Sequence, residues 1–195
     1  MKLRGLYAIT PQASDLERKV RLALEGGIAL LQYRSKSRDR AQAAAVVRMA
    51  RDYGVPVIVN DDVELALELD AAGAHLGRED GDLRSARRRL AGRILGASCY
   101  NQLERARAAV RAGADYLAFG AVFASPTKPA AVRAPLELFR DARPLGVPLA
   151  AIGGITLENA PQLIAAGADL LAVISDLFDA PDICARARAY GKLFA

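Results

Sequence analysis

The sequence predicts an α/β fold, a (β/α)8 barrel of the TIM type, on three observations. Eight short apolar runs alternate with helix-patterned segments. The runs are nearly continuous in hydrophobicity, as strands of a parallel sheet covered by helices on its outer face must be. One helix-to-strand junction recurs as "LEGGIA", "LDAAGAH", "VRAGADY" and "IAAGADL", which points to a single supersecondary unit used repeatedly. In each copy a glycine is expected to end the helix in a left-handed cap before a small residue opens the strand.

The strands are expected at "GLYAIT" (5–10), "IALLQYR" (28–34), "PVIVND" (56–61) and "AHLG" (74–77). Four more follow at "ILGASC" (94–99), "YLAFGAVF" (116–123), "VPLAAIG" (147–153) and "LLAVIS" (170–175). The segments "DLERKVRLALEGG", "RAQAAAVVRMARDYG", "LERARAAVRAGA" and "LENAPQLIAAGA" carry helical periodicity between them, and "PDICARARAYG" supplies a final helix. The 195 residues then form a single barrel domain, 1–195, at the short end for this fold, so loops must be tight. An open doubly wound sheet is the alternative, but no G-x-G-x-x-G turn follows the first strand.

Bulk properties narrow the function. No stretch reaches the apolar length of a membrane span. The start, "MKLRGLYAIT", moves directly into a strand-like run without an apolar signal core, so a cytoplasmic protein is expected. Cys99 and Cys184 match no metal spacing and read as reduced thiols. The net charge of +5 has its densest basic run at "RSARRRL" (84–90), a solvated helix face with no aromatic platform beside it. No nucleic-acid partner is therefore expected, whereas anionic small molecules suit a basic protein. His75 is the only histidine, which argues against mechanisms needing two; it reads either as a packed, hydrogen-bonded side chain or as a catalytic one.

Polar residues collect at one end of the barrel. Active sites of this fold sit at the C-terminal ends of the strands. Strand two ends in Gln32, Arg34 and Lys36, which share one face in an extended chain and could grip an anion. "NDD" (60–62) follows strand three and "REDGD" (78–82) strand four. Asp61 and Asp80 could share one Mg2+ or could cap helices, while Asp62 and Asp82 better fit capping. Ser98 closes strand five, and "SPTK" (125–128) after strand six offers two hydroxyls and a cation, as a phosphate site or as an ordinary turn. Gly153 and Gly154 after strand seven, with Ser175 after strand eight, match the usual phosphate-binding loops of such barrels. The opposite junctions are Gly/Ala-rich and bland. Two anion sites imply two phosphorylated small-molecule substrates, or one phosphorylated at both ends.

The motifs "QYRSK", "VNDD", "HLGRED", "GASC", "ASPTKP", "AIGGIT" and "AVIS" occur in the order and spacing of thiamin phosphate synthase, and the resemblance covers essentially the whole chain. It implies a Mg2+-dependent transferase that joins hydroxymethylpyrimidine diphosphate to hydroxyethylthiazole phosphate and releases diphosphate. It implies that Gln32, Tyr33, Arg34, Ser35, Lys36, Asn60, Ser98 and Lys128 meet the pyrimidine diphosphate. Asp61 and Asp80 would hold Mg2+, and Arg34, Lys36 and Lys128 would act in catalysis on the departing charge. Ser125, Pro126, Thr127, Gly153, Gly154, Ile174 and Ser175 would meet the thiazole phosphate. A homo-oligomer is compatible with this reading, and the thiazole substrate is either plain or carboxylated. Departures from the family pattern are Ser35 for an acid, Arg78 for Gln, Ala121 for Pro, Ser125 for Thr, Asp176 for a small residue, and a shortened segment after Lys128. Asp176 brings negative charge near the thiazole phosphate unless it points away into a helix cap. The rival readings are a thiazole tautomerase, whose histidine position after strand five is Tyr100 here, and a non-catalytic phosphate- or thiamin-binding barrel.

Overall fold

A computed structural model describes residues 3–37, 39–124 and 132–195. The strands are β1 (Gly5–Ile9), β2 (Leu30–Tyr33), β3 (Val57–Asn60), β4 (Gly73–Leu76), β5 (Ile94–Tyr100), β6 (Tyr116–Gly120), β7 (Leu149–Ile152) and β8 (Leu170–Val173). They close into one barrel in sequence order, every pairing parallel, with β8 returning to β1 through Gly5↔Leu170 to Ala8↔Val173. The helices between them are α1 (Leu16–Glu25), α2 (Arg40–Asp52), α3 (Val63–Glu68), α4 (Leu83–Arg89), α5 (Leu103–Arg111), α6 (Glu137–Ala142) and α7 (Ala160–Ala166). After β8 come α8 (Ser175–Phe178) and α9 (Ile183–Lys192). The predicted (β/α)8 barrel is thus the observed fold.

Period-two alternation divides the core into two layers. Tyr7, Leu30, Ile58, Tyr116, Ala118, Ala150, Leu170 and Ala172 form one cluster, the barrel lumen. Their strand neighbours, such as Leu6, Leu31, Val59, Leu95, Leu117, Leu149 and Leu171, pack outward with the helices. On β3, β4 and β5 the same alternation places Asn60, His75 and Ser98 on the inner side, at the end where the strands stop.

Most strands end sooner than the apolar runs do. β2 stops at Tyr33, β6 at Gly120 and β8 at Val173, because the residues beyond turn into the loops of the barrel mouth. β5 runs further, through a register shift between Ser98 and Tyr100.

The repeated junction works differently from the expectation in two respects. Gly27, Gly113 and Gly167 do adopt left-handed φ of 85°, 94° and 113°, but Gly73 does not; Asp70, at φ 51°, holds that place. Gly73 is instead the first residue of β4, where a Cβ would lie 1.8 Å from the carbonyl oxygen of Ile94. The aspartates of the two "AGAD" copies also carry bonds of their own. Asp115 accepts the Leu95 N–H at 2.7 Å and pairs with Arg87; Asp169 accepts the Leu149 N–H at 3.0 Å and pairs with Arg143. Each carboxylate thereby ties the start of its own strand to the start of the preceding one.

The basic run of α4 is a largely solvated face, with Arg84, Arg88 and Arg89 exposed. Asp62 and Asp82 cap α3 and α4 by accepting the Leu65 and Ser85 N–H groups at 2.9 Å and 2.8 Å, as their positions suggested. No helix among the described residues is long and apolar enough to cross a membrane.

Asp169→Ala should cost about 2 kcal/mol of unfolding free energy in urea, because a strand N–H and a guanidinium both lose a charged partner. Asp115→Ala should cost less, since its carboxylate is 47% exposed against 17% for Asp169. Equal costs for the two would show that exposure of the carboxylate does not set the cost.

Candidate active site

The mouth of the barrel is organised by three buried polar side chains, Thr10, Gln32 and His75, the ones of that kind among the described residues. Thr10, just past β1, clamps the exit of β2: its hydroxyl donates to the Arg34 carbonyl at 3.0 Å and accepts the Arg34 N–H at 2.8 Å. This fixes the backbone where the chain leaves the strand. Beyond the clamp, Arg34, Ser35 and Lys36 line a cleft of about 270 Å³ together with Asn60 and Asp61 from the end of β3. Tyr33 also borders it, but its hydroxyl bonds to the Asp39 carbonyl at 3.0 Å at the start of α2.

The face shared by Gln32, Arg34 and Lys36 holds only in part, because the strand ends at Tyr33. Gln32 is 3% exposed and stays in the lumen, where its amide nitrogen donates to the Tyr7 hydroxyl at 2.6 Å. Arg34 and Lys36 lie one level higher, on the cleft.

Asp61 occupies a strained backbone position, φ 62°, which an L-residue adopts at a cost. Its N–H donates to the His75 carbonyl at 2.9 Å, continuing the β3–β4 ladder past the last strand residue. The carboxylate lies near enough to Asp80 to feel its charge. Asp80 is anchored from below, accepting the Gly77 N–H at 2.7 Å, where a Cβ on residue 77 would sit 2.7 Å from the carboxylate oxygen. Burial, then the hydrogen bond and charge of Asp80, raise the Asp61 pKa to about 6, against the opposing Arg34 charge and the Asn60 amide. Asn60 donates to Asp61 at 2.5 Å.

Two neighbouring carboxylates repel each other unless a proton or a cation lies between them. Hard oxygen donors in the loops after β3 and β4 fit Mg2+, which takes one or two carboxylates and leaves its other positions to phosphate and water. Among the described residues no group of three or more His, Cys, Asp or Glu side chains gathers as a closed metal cage. The helix-capping alternative for this pair does not describe it, since Asp62 and Asp82 carry the caps.

His75 is buried, and burial lowers its pKa to about 4 despite the nearby Asp80 charge. Its Nδ1 lies 2.9 Å from the Tyr116 hydroxyl and its Nε2 2.8 Å from Ser98 Oγ. The packed, hydrogen-bonded reading of this histidine therefore holds. Past Ser98, Tyr100 projects at the rim with Arg78 and Arg105 over its ring at 5.1 Å and 5.6 Å.

On the other side, Gly153 and Gly154 have φ of 102° and 65°. Here glycine is demanded by the neighbouring loop as well as by φ: a Cβ on Gly154 would lie 2.4 Å from the Ala124 carbonyl oxygen. Ile174 and Ser175 open α8, whose first N–H groups point out of the helix start. Asp176 turns away from this loop pair. It accepts from Arg186 at 2.8 Å and from the Tyr190 hydroxyl at 2.7 Å, both on α9. Ser125, Pro126, Thr127 and Lys128 lie outside the described residues.

Thr10, Tyr7 and Tyr116 are site-supporting residues that the sequence reading did not single out. A hydroxyl at the C-terminal end of strand one was the available signal for Thr10. The family model for thiamine monophosphate synthase matches residues 6–177. The chain belongs to the thiamin phosphate synthase family. It is 65% identical to the thiamine-phosphate synthase of Aromatoleum aromaticum over 99% of this chain and 97% of that one. It is 54% identical to that of Chromobacterium violaceum with the same coverage. In three dimensions it matches thiamine phosphate pyrophosphorylase from Pyrococcus furiosus with a TM-score of 0.86 at 33% identity, covering 99% of this chain and 96% of that one. These comparisons support the synthase reading and lend nothing to the tautomerase or non-catalytic alternatives.

In metal-free protein, Asp61→Asn should raise stability at about pH 7.5 and give no gain at about pH 4. The folded-state pKa of Asp61 lies above its unfolded value, so stability contributed by the protonated form is lost as pH rises through about 6. Asparagine never ionises and escapes that loss. Urea denaturation of both proteins at the two pH values checks the sign, and a gain of equal size at both would contradict it.

Proposed function

We propose that the protein joins hydroxymethylpyrimidine diphosphate to hydroxyethylthiazole phosphate, giving thiamin phosphate and diphosphate, with Mg2+ required. The observation that carries this is Asp61 on one cleft with Arg34 and Lys36, its carboxyl raised by the neighbouring charge of Asp80. Such a pair invites a divalent cation, and the cations beside it invite the anion that the cation would bring.

Asp61 and Asp80 would hold Mg2+, which when bound neutralises charge on diphosphate oxygens. Arg34 would meet the diphosphate through its planar fork, and Lys36, exposed at the lip of the cleft, would add a point charge. Asn60 holds the Asp61 carboxylate from one side and leaves its carbonyl oxygen for the substrate. Ser98, on the inner side of β5, would meet the pyrimidine. Lys128 keeps the role the resemblance implies, at the diphosphate. Ser125, Pro126 and Thr127 keep theirs at the thiazole phosphate, with the backbone of Gly153, Gly154, Ile174 and Ser175. The turning of Asp176 toward Arg186 and Tyr190 removes the charge conflict that its position raised.

The chemistry asks little proton transfer of the protein. The electron-rich aminopyrimidine stabilises positive charge on its methylene carbon as diphosphate departs, and the thiazole nitrogen attacks with its own lone pair. Arg34 and Lys36 stabilise the negative charge that develops on the leaving group, and the cleft walls hold the two reactants in line. A chain whose one histidine is neutral and buried suffices for this.

Purified protein mixed with both substrates should form thiamin phosphate with Mg2+ and none with EDTA; no product in either would refute the proposal. Arg34→Ala should raise the KM for the pyrimidine diphosphate about tenfold or more, the loss of a charge-assisted bond. The KM for the thiazole phosphate should stay within about twofold. Equal rises for both would undo the division into two anion sites.

A further inference from the structure

An unbroken line of polar side chains crosses the barrel lumen beneath the cleft. It runs from Gln32 on β2 through Tyr7 on β1 and Tyr116 on β6 to His75 on β4, and ends at Ser98 on β5. The links measure 2.6 Å, 2.7 Å, 2.9 Å and 2.8 Å. Lumens of this fold are ordinarily filled with branched apolar side chains. Here space has been made for phenols. A Cβ on Gly96 would lie 2.2 Å from the Tyr116 ring, so a side chain at that position would displace the ring. Tyr116 is further held edge-on to Tyr7 with centroids 5.8 Å apart, and beside the His75 ring at 5.5 Å.

Counting protons gives this line a direction. An amide nitrogen only donates, so Tyr7 Oη accepts from Gln32. Tyr7 has a single proton, and Tyr116 Oη is the partner that can take it. The Tyr116 proton then falls to His75 Nδ1, which must be bare. A neutral imidazole bare at Nδ1 carries its proton at Nε2 and donates it to Ser98 Oγ. Ser98 thereby has an accepting lone pair filled and its own proton left over. Running the line the other way would turn the Tyr7 proton against the Gln32 amide hydrogens. An imidazolium would donate at both nitrogens and strand the Tyr116 proton.

We infer that Gln32, Tyr7, Tyr116 and His75 are positioning residues that fix Ser98 as a hydrogen-bond donor aimed at the barrel mouth, selecting a substrate that presents a bare acceptor nitrogen there. This rests on the synthase reading for the identity of that substrate, the aminopyrimidine, whose ring nitrogens are such acceptors. The line spans four strands besides that of Ser98, so it also makes the donor direction at β5 depend on an amide at β2.

The single histidine makes the direction readable in the intact protein. In protein carrying 15N-labelled histidine, without substrate, the ring nitrogens should report one neutral tautomer, protonated at Nε2. A spectrum showing protonation at Nδ1, or an average of both tautomers, would overturn the inference, and neither result depends on which reaction the protein catalyses. A kinetic cycle tests the link to substrate. Tyr116→Phe removes one oxygen and should raise the KM for the pyrimidine diphosphate about tenfold, with that for the thiazole phosphate unchanged. In a Ser98→Ala background the same change should have no further effect, because the donor it orients is gone. Independent, multiplying effects would mean that Tyr116 acts only through packing and would refute the positioning role. Tyr7→Phe, one link further back, gives the same cycle if Tyr116→Phe does not fold.

Discussion

Closure of the parallel ladder from β8 back to β1 is the constraint on which the rest depends. A parallel strand stops where its backbone partners stop, so eight strands bonded in a ring must release their chains at one rim. Everything chemically active hangs from that rim. Thr10 at the end of β1 clamps the first residue past β2, and the Asp61 N–H takes the next rung after β3. Because these loops are tied to a neighbouring strand, residues far apart in sequence meet with little freedom to rearrange. The "AGAD" aspartates apply the same device at the opposite rim, where they join strand starts.

Within this frame the site gathers like charge and leaves it incompletely balanced. Asp61 is held in left-handed backbone, and burial and the charge of Asp80 raise its carboxyl to about 6. Arg34 relieves only part of the repulsion. A cation placed between the two carboxylates would relieve the rest, which is the physical support for the proposed metal site. The loop after β8 is treated differently. Asp176 spends its negative charge on Arg186 and the Tyr190 hydroxyl, and so spares the neighbouring loop.

The barrel was legible because alternation of apolar strands and amphipathic helices is a periodic signal that packing does not alter. The clustering of Arg34, Lys36, Asn60, Asp61 and Asp80 was legible because polar residues at strand ends stand out against apolar runs. The depth of Gln32 was not legible: the sequence shows the alternation but not where the strand stops, and that decides how far below Arg34 and Lys36 its side chain lies. Tyr7 and Tyr116 were not legible, since an aromatic in a buried strand reads as core until its hydroxyl has a partner. Gly73 resembled a cap, and only the approach of the Ile94 carbonyl reveals why no side chain fits there. The roles of Asp115 and Asp169 depend on lateral neighbours that no local pattern encodes.

The central claim is that Asp61, Asp80 and the β2 cations form one site for a metal-bound diphosphate. Calorimetric titration with inorganic diphosphate, in Mg2+ and again in EDTA, measures it without either organic substrate. The account predicts binding at least about a hundredfold tighter with Mg2+, since two acidic side chains repel the bare anion. Equal affinity under the two conditions would contradict it.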